Sequence, residues 1–178
     1  MGSAPPRRMS PREALIRFIL ATLIMIPLIG LLAAFVAQYI YILLVFPLLL
    51  AATSGMLVGS GLYTLNVQNR LVPITLATIY GAAMYGVYWL GKYLFFAAKV
   101  PNVTDLDFLT YLRLTAKIGV TIAEVGTSDP GITLSEPLTW LYWMLELLLI
   151  CGAAIFISFR VREYFNNYFA KLNKPTSP

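Results

Sequence analysis

Apolar residues fill four blocks of the chain, residues 15–37, 40–62, 71–90 and 138–159, and charged side chains are almost confined to the segments between and beyond them. Each block matches the roughly 20 residues that an α-helix needs to cross about 30 Å of hydrocarbon. The pattern predicts an all-α membrane protein, a bundle of four transmembrane helices. Only Gln38 and Tyr39 separate the first two blocks. They form either a tight hairpin or one helix of about 70 Å, more than twice the bilayer core, so the hairpin is the expected arrangement.

Local signals refine these spans. Ser10-Pro11, with Glu13 in the first turn, reads as a helix start at the end of a basic tail, residues 1–14. Arg17 lies near enough to the interface to snorkel. Pro27 removes a backbone donor inside the first span and predicts a kink. The second span carries Gly55 and Gly59 in GxxxG spacing, and the third carries Gly81 and Gly86 among alanines. Small residues let helix backbones approach closely, so spans two and three are expected to pack on each other, with self-association as the alternative.

The long segment 92–137 carries its own pattern. Asp105 and Asp107 mark a helix start, and Leu106, Leu109, Leu112 and Ala116 follow at helical spacing, widened by Phe108, Tyr111, Leu114 and Ile118. This predicts an interfacial helix over residues 105–118 that ends at Gly119. Turn residues from Gly126 to Gly131 separate two short extended strips, a candidate hairpin. Trp89, Trp140, Tyr142 and Trp143 flank the segment and are expected to anchor at the membrane interface. Past the last span, residues 160–178 place Val161, Phe165, Tyr168 and Leu172 on one stripe, predicting a basic amphipathic tail. There Arg160, Arg162, Lys171 and Lys174 are candidate contacts to lipid head groups or to a partner protein.

Composition supports the membrane reading, because 59% of residues are hydrophobic and only 12% charged, against about 25% charged in soluble domains. Cation placement then orients the bundle. With both termini cytoplasmic, nine of the thirteen Lys and Arg residues fall on that side, leaving Lys92, Lys99, Arg113 and Lys117 in the outer loop. The expected location is a plasma membrane. The excess of positive charge then faces lipid, and no nucleic acid is expected as a partner.

Candidate chemistry is sparse. The chain has no histidine and one cysteine, Cys151, so it lacks the side chain best suited to proton transfer near neutral pH and has no cysteine pair. The loop carboxylates lack calcium-site spacing. No catalytic residue, metal or cofactor is expected, and the chain is read as a non-enzyme. Asn102-Val103-Thr104 fits the glycosylation pattern.

One residue stands out. Glu146 lies inside the fourth apolar block, where a charged carboxylate costs about 2.5–3.5 kcal/mol to insert and therefore faces protein, water or a partner. Thr53, Ser54, Thr75, Thr78, Tyr80 and Arg17 are candidate partners elsewhere, and no Lys or Arg is expected at matching depth. Three readings stay open: a protonated acid bonded between helices, a contact between subunits, and a site on a proton or cation path. The residues Tyr111-Leu112-x-Leu114-x-Ala116-x-x-Gly119-Val-Thr-Ile122, followed by Trp140-x-Tyr142-Trp143-x-x-Glu146, resemble uncharacterised small bacterial membrane proteins with four spans. That resemblance implies a bacterial inner membrane, four helices and a role for the region from the loop to Glu146, and it brings no activity. The function expected is an accessory or scaffold subunit of a membrane complex, working with a protein partner or as a homo-oligomer. The alternative is a small oligomeric transporter or channel subunit using Glu146.

Overall fold

The computed structural model describes residues 10–38, 45–100, 106–122 and 132–172, apart from the side chains of 121, 122, 132 and 170–172. Five helices lie in this part of the chain: α1 (Pro11–Val36), α2 (Val45–Thr64), α3 (Leu71–Lys99), α4 (Phe108–Ile118) and α5 (Glu136–Leu172). Four of them, α1, α2, α3 and α5, are long and apolar enough to cross a membrane. Two-residue strands β1 (Thr121–Ile122) and β2 (Ile132–Thr133) pair antiparallel between α4 and α5, the ends of the expected hairpin. Its turn lies outside the described residues, as do most of the N-terminal tail, residues 40–44 of the second block, Asn102, Asp105 and Lys174.

Helix boundaries follow capping chemistry more closely than hydropathy. α1 starts at Pro11 because Ser10 Oγ accepts the Glu13 backbone N–H at 3.2 Å while Glu13 Oε2 accepts the Ser10 N–H at 3.1 Å. That reciprocal box satisfies two donors the first turn would otherwise leave bare. The helix continues past Pro27. α3 runs beyond the expected end at Leu90 to Lys99, and α5 continues through Arg160 without a break. The tail from Arg160 thus continues the helix of the fourth apolar block, as expected. At 37 residues, α5 is about 55 Å long, well beyond the bilayer core of about 30 Å.

α2 meets α3 as expected, where Ser54 approaches the Met84 sulfur, but the glycines of α2 do not make that contact. Gly55 and Gly59 face α5, where a Cβ on Gly55 would lie 2.7 Å from the Ala154 carbonyl oxygen, and one on Gly59 would lie 2.7 Å from that of Ser158. The GxxxG ridge thus seats α5 instead of α3, because α5 offers its own small residues, Ala154 and Ser158, at the matching four-residue spacing. Gly81 also meets α5, near Ile150 and Cys151. Gly86 has open space where a Cβ would stand and makes no helix contact there. α1 packs on α3 through Gly30 against Val87 and through Ala34 against Gly91. Its other face is a broad apolar flank including Leu20, Leu23, Ile24, Leu28 and Leu32.

α4 is held over the end of the bundle. Asp107 caps it, its Oδ1 accepting the Thr110 N–H at 2.6 Å, and that bond holds the carboxyl below the ordinary aspartate range. Gly119 ends the helix at φ +84°, a conformation that favours glycine. Tyr111 and Ala116 are buried, and the Tyr93 hydroxyl of α3 donates to the Leu106 carbonyl at 2.7 Å. Burial also raises the pKa of the Tyr111 phenol.

Candidate functional site

Helical periodicity builds the site. On α3, Tyr85, Tyr88, Trp89 and Lys92 fall at i, i+3, i+4 and i+7, one face of the helix. On α5, Thr139, Trp143, Glu146 and Ile150 fall at i, i+4, i+7 and i+11, again one face. These two faces meet, and all the residues named except Lys92 are buried. The closest aromatic contact is between Trp89 and Trp143, with ring centroids 4.4 Å apart.

Glu146 sits within this seam, 6% exposed. The Tyr85 hydroxyl donates to Oε2 at 2.9 Å, and the Tyr142 hydroxyl, one turn earlier on α5, donates to Oε1 at 2.5 Å. Each carboxyl oxygen of Glu146 therefore has a hydroxyl partner. Phe46, Pro47, Leu50, Tyr88 and Ile150 complete a void beside the carboxylate that is too narrow for a water molecule. Tyr88 presents a buried hydroxyl with no hydrogen-bond partner.

Lys92 supplies the positive charge. Its ammonium lies 4.6 Å from the Trp89 ring centroid and 5.4 Å from that of Tyr88, and it is within electrostatic reach of Glu146. Such placement over aromatic faces is favourable for a cation. Lys92 lies seven residues, about 10 Å, beyond Tyr85 along α3, so it acts on the carboxylate from nearer the helix end and not at its depth. α3 continues past its predicted end, which turns Lys92 from a loop residue into a member of the helical face. The other expected partners bond elsewhere. Thr53, Ser54, Thr75 and Thr78 each donate to a carbonyl one turn back, and Tyr80 shares a 2.9 Å hydrogen bond with Thr22. Arg17 lines a separate groove beside Phe18 and Gly61.

No family model, curated protein or solved structure matches the chain. Function must therefore be argued from the geometry alone.

Two expected interface anchors belong to the core instead. Trp89 and Trp143 are 7% and 6% exposed, because their helical register turns them toward each other and not toward lipid. Trp140 is the exposed member, stacked edge-on to Trp143 at 5.0 Å, and Tyr142 is half-buried by its bond to Glu146. Of the candidate lipid or partner contacts, Arg160 pairs with Glu163 at 3.3 Å on the surface and sits over the Phe156 ring. Arg162 donates to the Val67 carbonyl and so ties α5 to the turn between α2 and α3, an intramolecular role that sequence reading did not foresee. Lys171 lies on the last turn of α5, its side chain outside the described residues. Near Arg160, an apolar groove of about 700 Å³ opens between α1, α2 and α5, lined by Met25, Met56, Val161 and Tyr164 among others. Among the described residues, no three of Cys, Asp and Glu gather as metal ligands.

Proposed function

We propose that this protein is a non-catalytic accessory or scaffold subunit of a membrane complex, with both termini cytoplasmic and α4 at the outer interface. The observation that carries the reading is the closure of Glu146. Its two oxygens take hydroxyls from α3 and from its own helix, beside a void that excludes water. A buried carboxylate used in this way fixes the relative position of two helices, whereas a transported proton or cation needs a wet route to the group. The length of α5 supports the same reading. About 25 Å of helix exceeds the hydrocarbon thickness, and its far end exposes Tyr164, Tyr168 and Phe169. Phe165 and Phe169 also stack on Tyr63 of α2, so this end presents an aromatic surface braced against the bundle on the cytoplasmic side, the kind a partner protein engages.

Photo-crosslinking from positions 164 and 168 in native membranes, followed by purification of the full chain, is the direct test. A discrete crosslinked partner or a second copy is expected. Recovery of a partner-free monomer under all conditions would sink the proposal. Reconstitution in liposomes separates the alternative role as a small oligomeric transporter or channel subunit: proton or cation flux abolished by Glu146→Gln would favour that role.

A further inference from the structure

A second polar constellation lies where the end of α1 meets α3 and α4. Gln38, Lys92, Lys99 and Tyr111 line a pocket of about 210 Å³ between the aromatic walls of Phe95 and Phe96. Lys99 Nζ donates to Gln38 Oε1 at 2.7 Å. An ammonium can only donate, so it takes the carbonyl side of the amide and turns Nε2 away from itself. That Nε2 is buried and has no hydrogen-bond partner. Leaving such a donor bare is costly, and it is found where a ligand or water normally completes the site.

We infer that this pocket binds an oxyanion of the phosphate class, held by Lys99 and Lys92, with the Gln38 amide turning its buried Nε2 to the ligand on binding. The donor set decides the class of ligand. Two ammonium groups and an amide NH₂ supply N–H donors, and the Tyr111 hydroxyl can add an O–H. Of the carbonyls at the nearby helix ends, Ala33 O is occupied by the Ala37 N–H, Phe35 O by the Gln38 N–H, and Phe96 O by the Val100 N–H. Glu146 offsets part of the Lys92 charge, and the Asp107 carboxyl is engaged by the Thr110 N–H, so Lys99 provides the local excess of positive charge. The volume is below the range of about 300–1,000 Å³ that encloses drug-sized ligands, which fits a single phosphate group better than a whole metabolite. A lipid phosphodiester and free phosphate present the same chemistry. The site is independent of the accessory role.

The test uses the full chain in phosphatidylcholine nanodiscs, with two arms. One arm adds a minority of phosphatidylglycerol and reads retained lipid by native mass spectrometry. The other titrates inorganic phosphate and reads tryptophan fluorescence, since Trp89 lies beneath Lys92. Lys99→Gln and Gln38→Met are each expected to weaken binding about tenfold, the loss of one charge-assisted or buried hydrogen bond. Lys99→Arg should retain binding. Lys117→Gln, which removes the same charge from the exposed side of α4, should leave it unchanged. Site-dependent binding in the first arm alone identifies a lipid head group, and in the second alone a free anion; either supports the inference. Wild-type protein that binds neither probe, binding that survives both Lys99→Gln and Gln38→Met, or an equal loss with Lys117→Gln would overturn it.

Discussion

Tyr85 and Tyr88 stand one turn apart on the same face of α3, both buried in the same aromatic seam, yet removing their hydroxyls should have opposite effects on stability. Tyr85→Phe deletes the 2.9 Å bond to Glu146 Oε2 and leaves the ring packing intact. A hydrogen bond to a charged group contributes about 1.5–3 kcal/mol in soluble proteins, whereas interhelical bonds in membranes average about 0.6 kcal/mol and reach about 1.7 kcal/mol. Burial of Glu146 and the loss of a donor to its carboxylate favour the upper part of the membrane range, so a cost of about 1–2 kcal/mol is expected. Tyr88→Phe deletes a hydroxyl that has no partner. Leaving such a group buried costs about 1–3 kcal/mol, so its removal should be neutral or stabilising by about 1 kcal/mol. Equilibrium unfolding in mixed micelles would measure both, with fluorescence of the Trp89–Trp143 pair as the local reporter. A double-mutant cycle with Glu146→Gln should show coupling for Tyr85 and little for Tyr88. Equal destabilisation by the two variants, or a silent Tyr85→Phe, would refute the account of the seam.

Other outcomes follow from the same geometry. Gly55→Leu should prevent α2 from seating on α5, seen as loss of folded protein after extraction, whereas Gly86→Ala should be tolerated because the space beside it is open. Asp107 has a folded-state pKa lowered chiefly by the Thr110 N–H, so its cap stabilises α4 above the ordinary aspartate pKa and is lost as pH falls through the lowered folded value. Amide exchange in the first turn of α4 should therefore rise at acid pH in the wild type. In Asp107→Ala it should already be fast at neutral pH; slow exchange there would show that the cap is dispensable.

Span existence was legible in the sequence because bilayer thickness imposes a minimum apolar length, and four blocks satisfied it. The start of α1 was legible because its cap names itself at Ser10, whereas α4 begins at Phe108, with Asp107 as its cap and not as a first-turn residue. The partner of the α2 glycines was not legible. Lipid is as apolar as a bundle core, so hydropathy does not reveal which face of α2 meets another helix, and GxxxG names a close contact without naming its partner. Aromatic residues near a span end were misleading for a related reason. Tyr and Trp suit both a wet interface and a packed core, and only the i, i+3, i+4, i+7 register of Tyr85, Tyr88, Trp89 and Lys92 separated the two. That register could be read from the sequence once α3 was extended past Leu90. The Gln38 and Lys99 contact joins the ends of two helices distant in the chain, and no local pattern announces it.

The unbroken course of α5 also gives the molecule a mechanical property. Its tightest support lies near mid-length, where Ala154 and Ser158 rest on Gly55 and Gly59. Treated as a rod, the helix has an arm of about 18 Å from Ser158 to Glu146 and one of about 16 Å from Ser158 to Phe169. The arm toward Phe169 is also pinned, by Arg162 on the Val67 carbonyl and by Phe165 and Phe169 stacked on Tyr63, so a tilt of about 5°, which would carry each end about 1.5 Å in opposite directions, has to break contacts at both ends. In such a seesaw, a load on the aromatic end of α5 is balanced by the grip of two tyrosine hydroxyls on one carboxylate on the opposite arm.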